Sequence, residues 1–289
     1  MKKIYLISTE HLEDGLWFRD EEDFKVAMNY IAIEAARHPV VIVFAFILMS
    51  NHLHFVLKGR RASVEAFVTQ LKHRYSIYYR HKYGAKEFLR RNGIDIQEIL
   101  WDDEAPERAI AYVLMNCVAA NICAHPSQYH WGTGALLFNS VQAGGKRLSH
   151  FSARALKRLL HSDEDNLPGD WILSDDGYIL PENYVDIKTV ESLFRTPNRL
   201  NYFLRTSSKA KKRLESKNNL PSFRDQSILA SIPDMCRSLF QKDSFQQLES
   251  EDRKELARQI RFRFSADATQ IARVCGISYE DAAHLLDSA

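Results

Sequence analysis

The sequence has few of the features that usually assign a chain to a functional class. Its 289 residues include only four cysteines, and no two of them form a C-x-x-C pair. This spacing argues against a thiolate zinc site and against a disulfide framework. The longest apolar run, residues 40–49, is too short to span a bilayer, and the start of the chain has no apolar signal region. We therefore expect a cytoplasmic protein with reduced thiols and no membrane partner.

The net charge is also small, at +2, but positive charge is concentrated in two segments. Residues 58–91 contain ten Lys or Arg against two Glu, and residues 195–217 contain eight against one. Positive charge beside aromatic rings is typical of single-stranded nucleic-acid binding, but a solvated basic face over core-facing rings would give the same pattern. The aromatic residues within the two segments are Tyr75, Tyr78, Tyr79 and Tyr83 in the first, and Tyr202 and Phe203 in the second.

The apolar periodicity predicts an α+β fold, with an antiparallel sheet covered by helices and a mainly helical C-terminal region. Strands are expected at residues 3–10, 40–49, 51–57 and 94–101, and helices at residues 21–38, 62–82 and from 109 onward. The last of these helices is apolar almost all round and should be buried, with Asp102 or Asp103 as its N-cap and Pro106 in its first turn.

A His-hydrophobic-His triplet lies in the strand expected at 51–57. Successive side chains of a strand point to opposite faces, so His52 and His54 share one face while Leu53 occupies the other. Two adjacent imidazoles can bind a metal ion, although two histidines on a solvated strand face would explain the triplet equally simply.

A second polar group lies on the apolar helix. Tyr112 and Asn116 are four residues apart and Arg108 is one turn earlier, so the three should share a helix face. Polar side chains on a buried helix need polar partners, which a two-histidine site would supply. The alternative is a core tyrosine, a structural amide and a solvated arginine at the helix start.

Three ordered stretches within residues 1–135 resemble one family. LMSNHLHFVL is similar to the pattern M-P-N-H-x-H, RYSIYYRHKYG matches a basic aromatic helix, and AYVLMNCVAANICAHPSQYHWGTG is similar to Y-I-x-x-N-P-V-x-A-G-L-V and the residues that follow it. Together they resemble the single-tyrosine HUH transposases of the insertion-sequence 200 kind, particularly REP-associated tyrosine transposases. Ser50, Cys117 and Asn121-Ile122 depart from the family pattern, but none of them removes a group that the reaction needs.

The resemblance implies an HUH-type fold with a ferredoxin-like or RRM-like core over residues 1–143. It implies that Tyr112 is the nucleophile and that His52, His54 and Asn116 bind Mg²⁺ or Mn²⁺. Relatives of this kind act on single-stranded or hairpin DNA, commonly as homodimers, through a covalent 5′-phosphotyrosine. Contacts to the DNA backbone are expected from Lys58, Arg60, Arg61, Lys72, Arg74, Arg80, Lys82 and Arg108.

Residues 144–289 form the expected helical extension. Residues 256–289 end in a helix-turn-helix rhythm around Gly276, but the second helix carries Glu280 and Asp281 and has no Lys or Arg. This composition favours a plain helical hairpin over a DNA-reading one. Arg258, Arg261 and Arg263 leave a DNA contact open just before it.

The sequence therefore predicts a metal-dependent DNA strand transferase. A domesticated DNA-binding protein of the same fold, with little or no transfer activity, is the main alternative. A two-histidine metallohydrolase that uses water is another, and it would cleave DNA without forming a tyrosine adduct.

Overall fold

The computed structural model describes residues 2–10, 12, 15–84, 89, 92–100, 104–140, 144–164, 166–208, 223–264 and 266–287. Within these ranges the fold is α+β, and no helix has the length and apolarity needed to cross a bilayer. Several predictions lie outside the described residues: the caps Asp102 and Asp103, the cations Lys86, Arg90 and Arg91, and the Lys and Arg residues of 209–217.

A four-stranded antiparallel sheet organises the first part of the chain. Its strands are β1 (Lys3–Thr9), β2 (Ile42–Met49), β3 (His52–Gly59) and β4 (Ile94–Ile99), in the order β2-β3-β1-β4. The edge of β2 is covered, because the Leu48 amide donates to the Trp131 carbonyl at 2.8 Å and Thr133 bonds the backbone of Phe46. This cover explains why β2 is buried along nearly its whole length, as its continuous apolar run predicts.

Two long helices, α1 (Glu21–Arg37) and α2 (Arg61–Tyr83), cover one face of this sheet. α1 begins where the Asp20 carboxylate accepts a hydrogen bond from the Asp23 amide. The Phe55 ring of β3 contacts the Phe67 ring of α2, with centroids 6.1 Å apart. Since residues of odd number in β3 face these helices, His52 and His54 lie on the opposite face.

The tyrosines of α2 face the protein core. Tyr75, Tyr78 and Tyr79 are buried and Tyr83 is half-buried. The Tyr78 and Tyr83 hydroxyls donate to the Asp23 carboxylate at 3.0 and 2.9 Å, and Lys82 donates to the same carboxylate at 2.9 Å. The core-facing interpretation of this aromatic stripe is therefore correct, and the rings do not form a base-stacking surface.

We expect Asp23→Ala to lower the free energy of unfolding by about 1–3 kcal/mol, because it would remove the buried carboxylate that accepts from the Tyr78 and Tyr83 hydroxyls, while Lys82 keeps Asp20 and Glu22. Urea denaturation measures this change. Glu21→Ala, an exposed acid in the same helical turn, should change stability by no more than about 0.5 kcal/mol. Equal effects of the two substitutions would contradict a structural role for this network.

The other face of the sheet is partly covered by α3 (Ala105–Leu114), which continues into the single turn α4 (Asn116–Ala119). Beyond it lie β5 (Gly145–Arg147), α5 (Ala153–Leu160), β6 (Ile172–Ser174), α6 (Ile187–Phe194) and α7 (Pro197–Thr206). Side chains of α6 and α7, including Val190, Phe194 and Phe203, join the hydrophobic core of the sheet. This hydrophobic core therefore includes residues on both sides of position 143, where the sequence predicts a domain boundary. That boundary stays a prediction.

The last four helices of the described chain enclose a second hydrophobic core. They are α8 (Asp225–Phe240), α9 (Ser250–Phe264), α10 (Ala268–Cys275) and α11 (Tyr279–Asp287). Gly276 has a φ of 66°, a left-handed conformation that suits glycine, and it ends α10. The α10–α11 pair packs against α8 and α9, which is the arrangement of a helical hairpin built into a small bundle.

Candidate active site

The two histidines of β3 are buried side by side. His52 and His54 are 7% and 2% exposed, and their ring centroids are 4.7 Å apart with the ring planes nearly perpendicular. Their backbone positions are fixed by pairing with β1, in which Ser8 lies directly opposite His54. The sheet therefore holds both imidazoles in one place before any ligand binds.

Asn51 fixes the protonation of His52. The Asn51 amide nitrogen donates to the Leu12 carbonyl at 3.0 Å, so its oxygen is the group that meets His52 Nδ1 at 2.9 Å. An amide oxygen can only accept, so the proton of the neutral imidazole lies on Nδ1. Nε2 of His52 then carries the lone pair, as a metal-binding histidine requires.

Ser8 occupies the corresponding position beside His54. Its hydroxyl lies 2.7 Å from His54 Nδ1, in a direct cross-strand pair. A hydroxyl can donate or accept, so Nε2 of His54 carries the lone pair that a metal ion needs in the tautomer in which Nδ1–H donates to Ser8.

Tyr112 of α3 lies against this histidine pair. Its ring centroid is 5.7 Å from that of His54, with the planes at 84°. The side chain is half-buried, and all three rings belong to one chain. The structure thus brings the predicted nucleophile and two predicted metal ligands together without a contribution from a second copy.

Asn116 lies where the predicted long helix is interrupted. α3 ends at Leu114 and α4 begins at Asn116, whose amide nitrogen donates to the carbonyls of Tyr112 and Val113 at 2.9 and 3.1 Å. The amide thereby satisfies carbonyls that the last turn of a helix leaves without amide partners. Its nitrogen is used in this way, so its oxygen is the group that could bind a metal.

The donor set fits a hard divalent cation only in part. The two imidazoles lie together and the Asn116 amide oxygen is a third predicted donor, while the described residues contain no group of three or more His, Cys, Asp or Glu that could hold a metal. An ion bound here would need substrate and water oxygens to complete its coordination. Mg²⁺ and Mn²⁺ tolerate such an open site.

Burial raises the pKa of the Tyr112 hydroxyl above its ordinary value of 10.0. The sequence suggested Arg108 as a cation that could lower this pKa, but the Arg108 guanidinium lies 3.3 Å from the carboxylate of Glu104. Tyr112 is therefore a protonated phenol at neutral pH, and it must lose its proton during any attack.

Three of the predicted DNA contacts are used inside the protein. Arg74 pairs with the buried carboxylate of Glu34 at 2.9 Å, and Lys82 pairs with three carboxylates of the first turn of α1 and its cap. Lys72 is buried and donates to the Asn92 carbonyl, and burial lowers its pKa. Because all three side chains are engaged within the protein, we do not retain Lys72, Arg74 and Lys82 among the proposed phosphate contacts.

The other predicted contacts lie nearer to solvent. Lys58 shares the histidine face of β3, about 13 Å along the strand from His54. Arg60, Arg61, Arg80 and Arg108 have exposed side chains. These five cations remain the predicted phosphate contacts.

Sequence reasoning missed Asn51 and Ser8, which orient the two histidines. Asn51 stands next to His52 in the quoted family motif, so the motif itself contained the signal. Ser8 is visible only once the β1–β3 register is known, because it lies 46 residues from His54.

No family model and no curated protein matches the chain. A solved structure described as a REP-associated tyrosine transposase bound to a REP hairpin aligns with 60% of this chain and 93% of its own, at 12% identity and a TM-score of 0.35. At this level of similarity nothing about this chain follows from the match, so the side chains described above carry the functional proposal.

Proposed function

We propose that the protein is a metal-dependent, single-tyrosine HUH transposase that cleaves and rejoins single-stranded or hairpin DNA. One observation carries the proposal: the Tyr112 ring lies 5.7 Å from His54, which lies 4.7 Å from His52, within one chain. A phenol beside a preformed pair of imidazoles is suited to phosphoryl transfer. We further propose that the sheet is of the ferredoxin-like, RRM-like type.

Tyr112 would act as the nucleophile. Its oxygen bonds to phosphorus while the bond from phosphorus to the 3′-oxygen breaks, giving a 5′-phosphotyrosine and a free 3′-hydroxyl. The phenol loses its proton and the departing 3′-oxygen gains one, so one P–O bond and one O–H bond are exchanged. Because one phosphodiester replaces another, rejoining needs no nucleotide cofactor.

His52, His54 and Asn116 would hold Mg²⁺ or Mn²⁺, which when bound would supply Lewis-acid polarisation of the scissile phosphate. Asn51 and Ser8 keep the imidazoles in the required orientation. The burial of both histidines excludes bulk water, which strengthens electrostatic interactions within the site.

The DNA strand would approach over the open part of the sheet. Leu6 and Ser8 of β1, with Asp95 and Gln97 of β4, share the histidine face and are half-buried or exposed. α3 covers the β2–β3 side of this face. A single strand lying across β1 and β4 would therefore reach His54 and Tyr112 from the uncovered side.

The test is a search for the covalent product. The full chain is incubated with Mn²⁺ or Mg²⁺ and labelled single-stranded hairpins, and protein–DNA adducts are isolated under denaturing conditions. Mass spectrometry of the digested adduct should identify phosphonucleotide on Tyr112. Cleavage without any adduct would instead indicate hydrolysis by water.

Adduct formation should accelerate as pH rises. The Tyr112 hydroxyl has a raised pKa, so the phenolate fraction increases about tenfold per unit between about pH 7 and pH 9. Single-turnover rates of adduct formation, measured at saturating DNA across this pH range, test the prediction. The hairpin affinity of Tyr112→Phe, measured at the same pH values, controls for any effect of pH on DNA binding. A flat rate profile would contradict deprotonation of Tyr112 in the rate-limiting step.

A second candidate is a DNA-hairpin-binding protein of the same fold with little transfer activity. Tight hairpin binding without adduct under any divalent ion would support it. Homodimerisation and a cytoplasmic location stay predictions, to be tested by sedimentation and by cell fractionation.

A further inference from the structure

The most exposed large apolar side chain of the described chain lies outside the candidate active site. Phe262 in α9 is 87% exposed. Leu256, Ala257 and Ile260 of the same helix are buried in the second hydrophobic core. At about 100° per residue, Phe262 points almost directly away from them. The ring therefore has no part in the core that α9 helps to form.

Arginines surround this ring on three sides. Arg258 precedes Phe262 by one helical turn, and Arg261 and Arg263 lie about 100° to either side of it. All three side chains are exposed. Arg258 lies 3.9 Å from Glu255, and Arg263 donates to the Gln259 amide at 3.2 Å.

Charge is segregated along α9. The acidic residues Glu251, Asp252 and Glu255 lie in its first two turns, whereas residues 256–264 contain three arginines and no acid. Cations near a helix C-terminus are favoured by the helix dipole, which accounts for part of this pattern. The dipole does not account for an aromatic ring left in water among the arginines.

We propose that Arg258, Arg261, Phe262 and Arg263 form a single-stranded DNA-binding surface, with one base stacked on Phe262 and the arginines on the adjoining phosphates. The proposal rests on the proposed function in that the strand is taken to be the unpaired flank of a hairpin substrate. Aromatic stacking beside guanidinium groups is how sequence-tolerant proteins bind unpaired strands. The acidic helix α11 is not part of this surface.

The test is equilibrium binding of a fluorescent oligothymidylate of ~16 nucleotides to the full chain, with a chelator present so that cleavage does not occur. Phe262→Ala should weaken binding by about 5- to 100-fold, the loss expected for one stacked base. Phe262→Trp should keep the affinity, and its added fluorescence should be quenched by DNA. Arg258→Ala combined with Arg261→Ala should lower the slope of log affinity against log salt by about 1.4.

The bundle provides matched controls. Tyr279 is also exposed, at 55%, but is followed by Glu280 and Asp281, so Tyr279→Ala should bind like the wild type. Arg237→Ala, on α8, controls for loss of one exposed charge. A blunt hairpin without an unpaired flank should bind Phe262→Ala and wild type equally.

Equal oligothymidylate affinities of Phe262→Ala and wild type would overturn the proposal, as would unquenched Phe262→Trp fluorescence. An equal loss with the blunt hairpin would also overturn it. Melting temperatures of all variants verify folding. Failure of the proposed function would look different. The wild type would then form no Tyr112 adduct with Mn²⁺, while Phe262→Ala would still bind oligothymidylate more weakly than the wild type in the presence of the chelator.

Discussion

Tyr112→Phe should abolish the covalent protein–DNA adduct, by more than about 1,000-fold, while leaving noncovalent hairpin affinity within about twofold of the wild type. The substitution removes one oxygen atom and keeps the ring that packs against His54. The measurement is the adduct fraction on a denaturing gel after a single turnover, paired with an anisotropy titration of the same hairpin.

Tyr202→Phe is the matched control, because Tyr202 is an exposed tyrosine on α7, outside the histidine site. It should form the adduct at the wild-type rate. An adduct that persists in Tyr112→Phe would contradict the assignment of Tyr112 as the nucleophile. Peptide mapping of that adduct would then identify the residue that is attached to the DNA.

Loss of either histidine should have the second-largest effect. We expect His52→Ala and His54→Ala to lower Mn²⁺ affinity and adduct formation by more than about 100-fold, since each removes a direct donor. Asn51→Ala and Ser8→Ala should each cost about 10- to 100-fold, because they remove only the group that orients the imidazole. Titration of free Mn²⁺ by electron paramagnetic resonance measures the affinity directly.

His81→Ala is the control for this series, because His81 is exposed at the end of α2. Its Mn²⁺ affinity should match that of the wild type. If His52→Ala and His54→Ala also match the wild type, the metal lies elsewhere and the donor set proposed here is wrong.

The sheet and the placement of its histidines could be predicted from local sequence. A period of two residues puts His52 and His54 on one face, and the periodic apolar positions of α1 and α2 give helices at nearly the observed bounds. The candidate nucleophile needed more than spacing, because Tyr75, Tyr78 and Tyr79 are equally phenolic. Tyr112 is singled out by the amide of Asn116 four residues later, which the other three tyrosines lack, and by the ordered family motifs.

Pairings between residues far apart in sequence could not be predicted. The carboxylates that pair with Lys82 lie about 60 residues earlier in the chain, and Glu34 lies 40 residues before Arg74. Local sequence therefore predicts both cations to face solvent. The break between α3 and α4 at Met115 could not be predicted either, because the apolar run there contains no glycine or proline that would mark the end of a helix. At this break the Asn116 side chain bonds back to the Tyr112 carbonyl, a contact that competes with the regular helical pattern.

The location of all three rings on one chain has a genetic consequence. Active sites shared between subunits allow two differently inactivated copies to restore one working site when they are mixed. In the proposed site the histidines and Tyr112 come from the same polypeptide, so each copy of the chain would carry either a complete site or a broken one. A mixture of His54→Ala and Tyr112→Phe proteins should therefore stay inactive in any proportion, and recovered activity would mean that copies exchange α3.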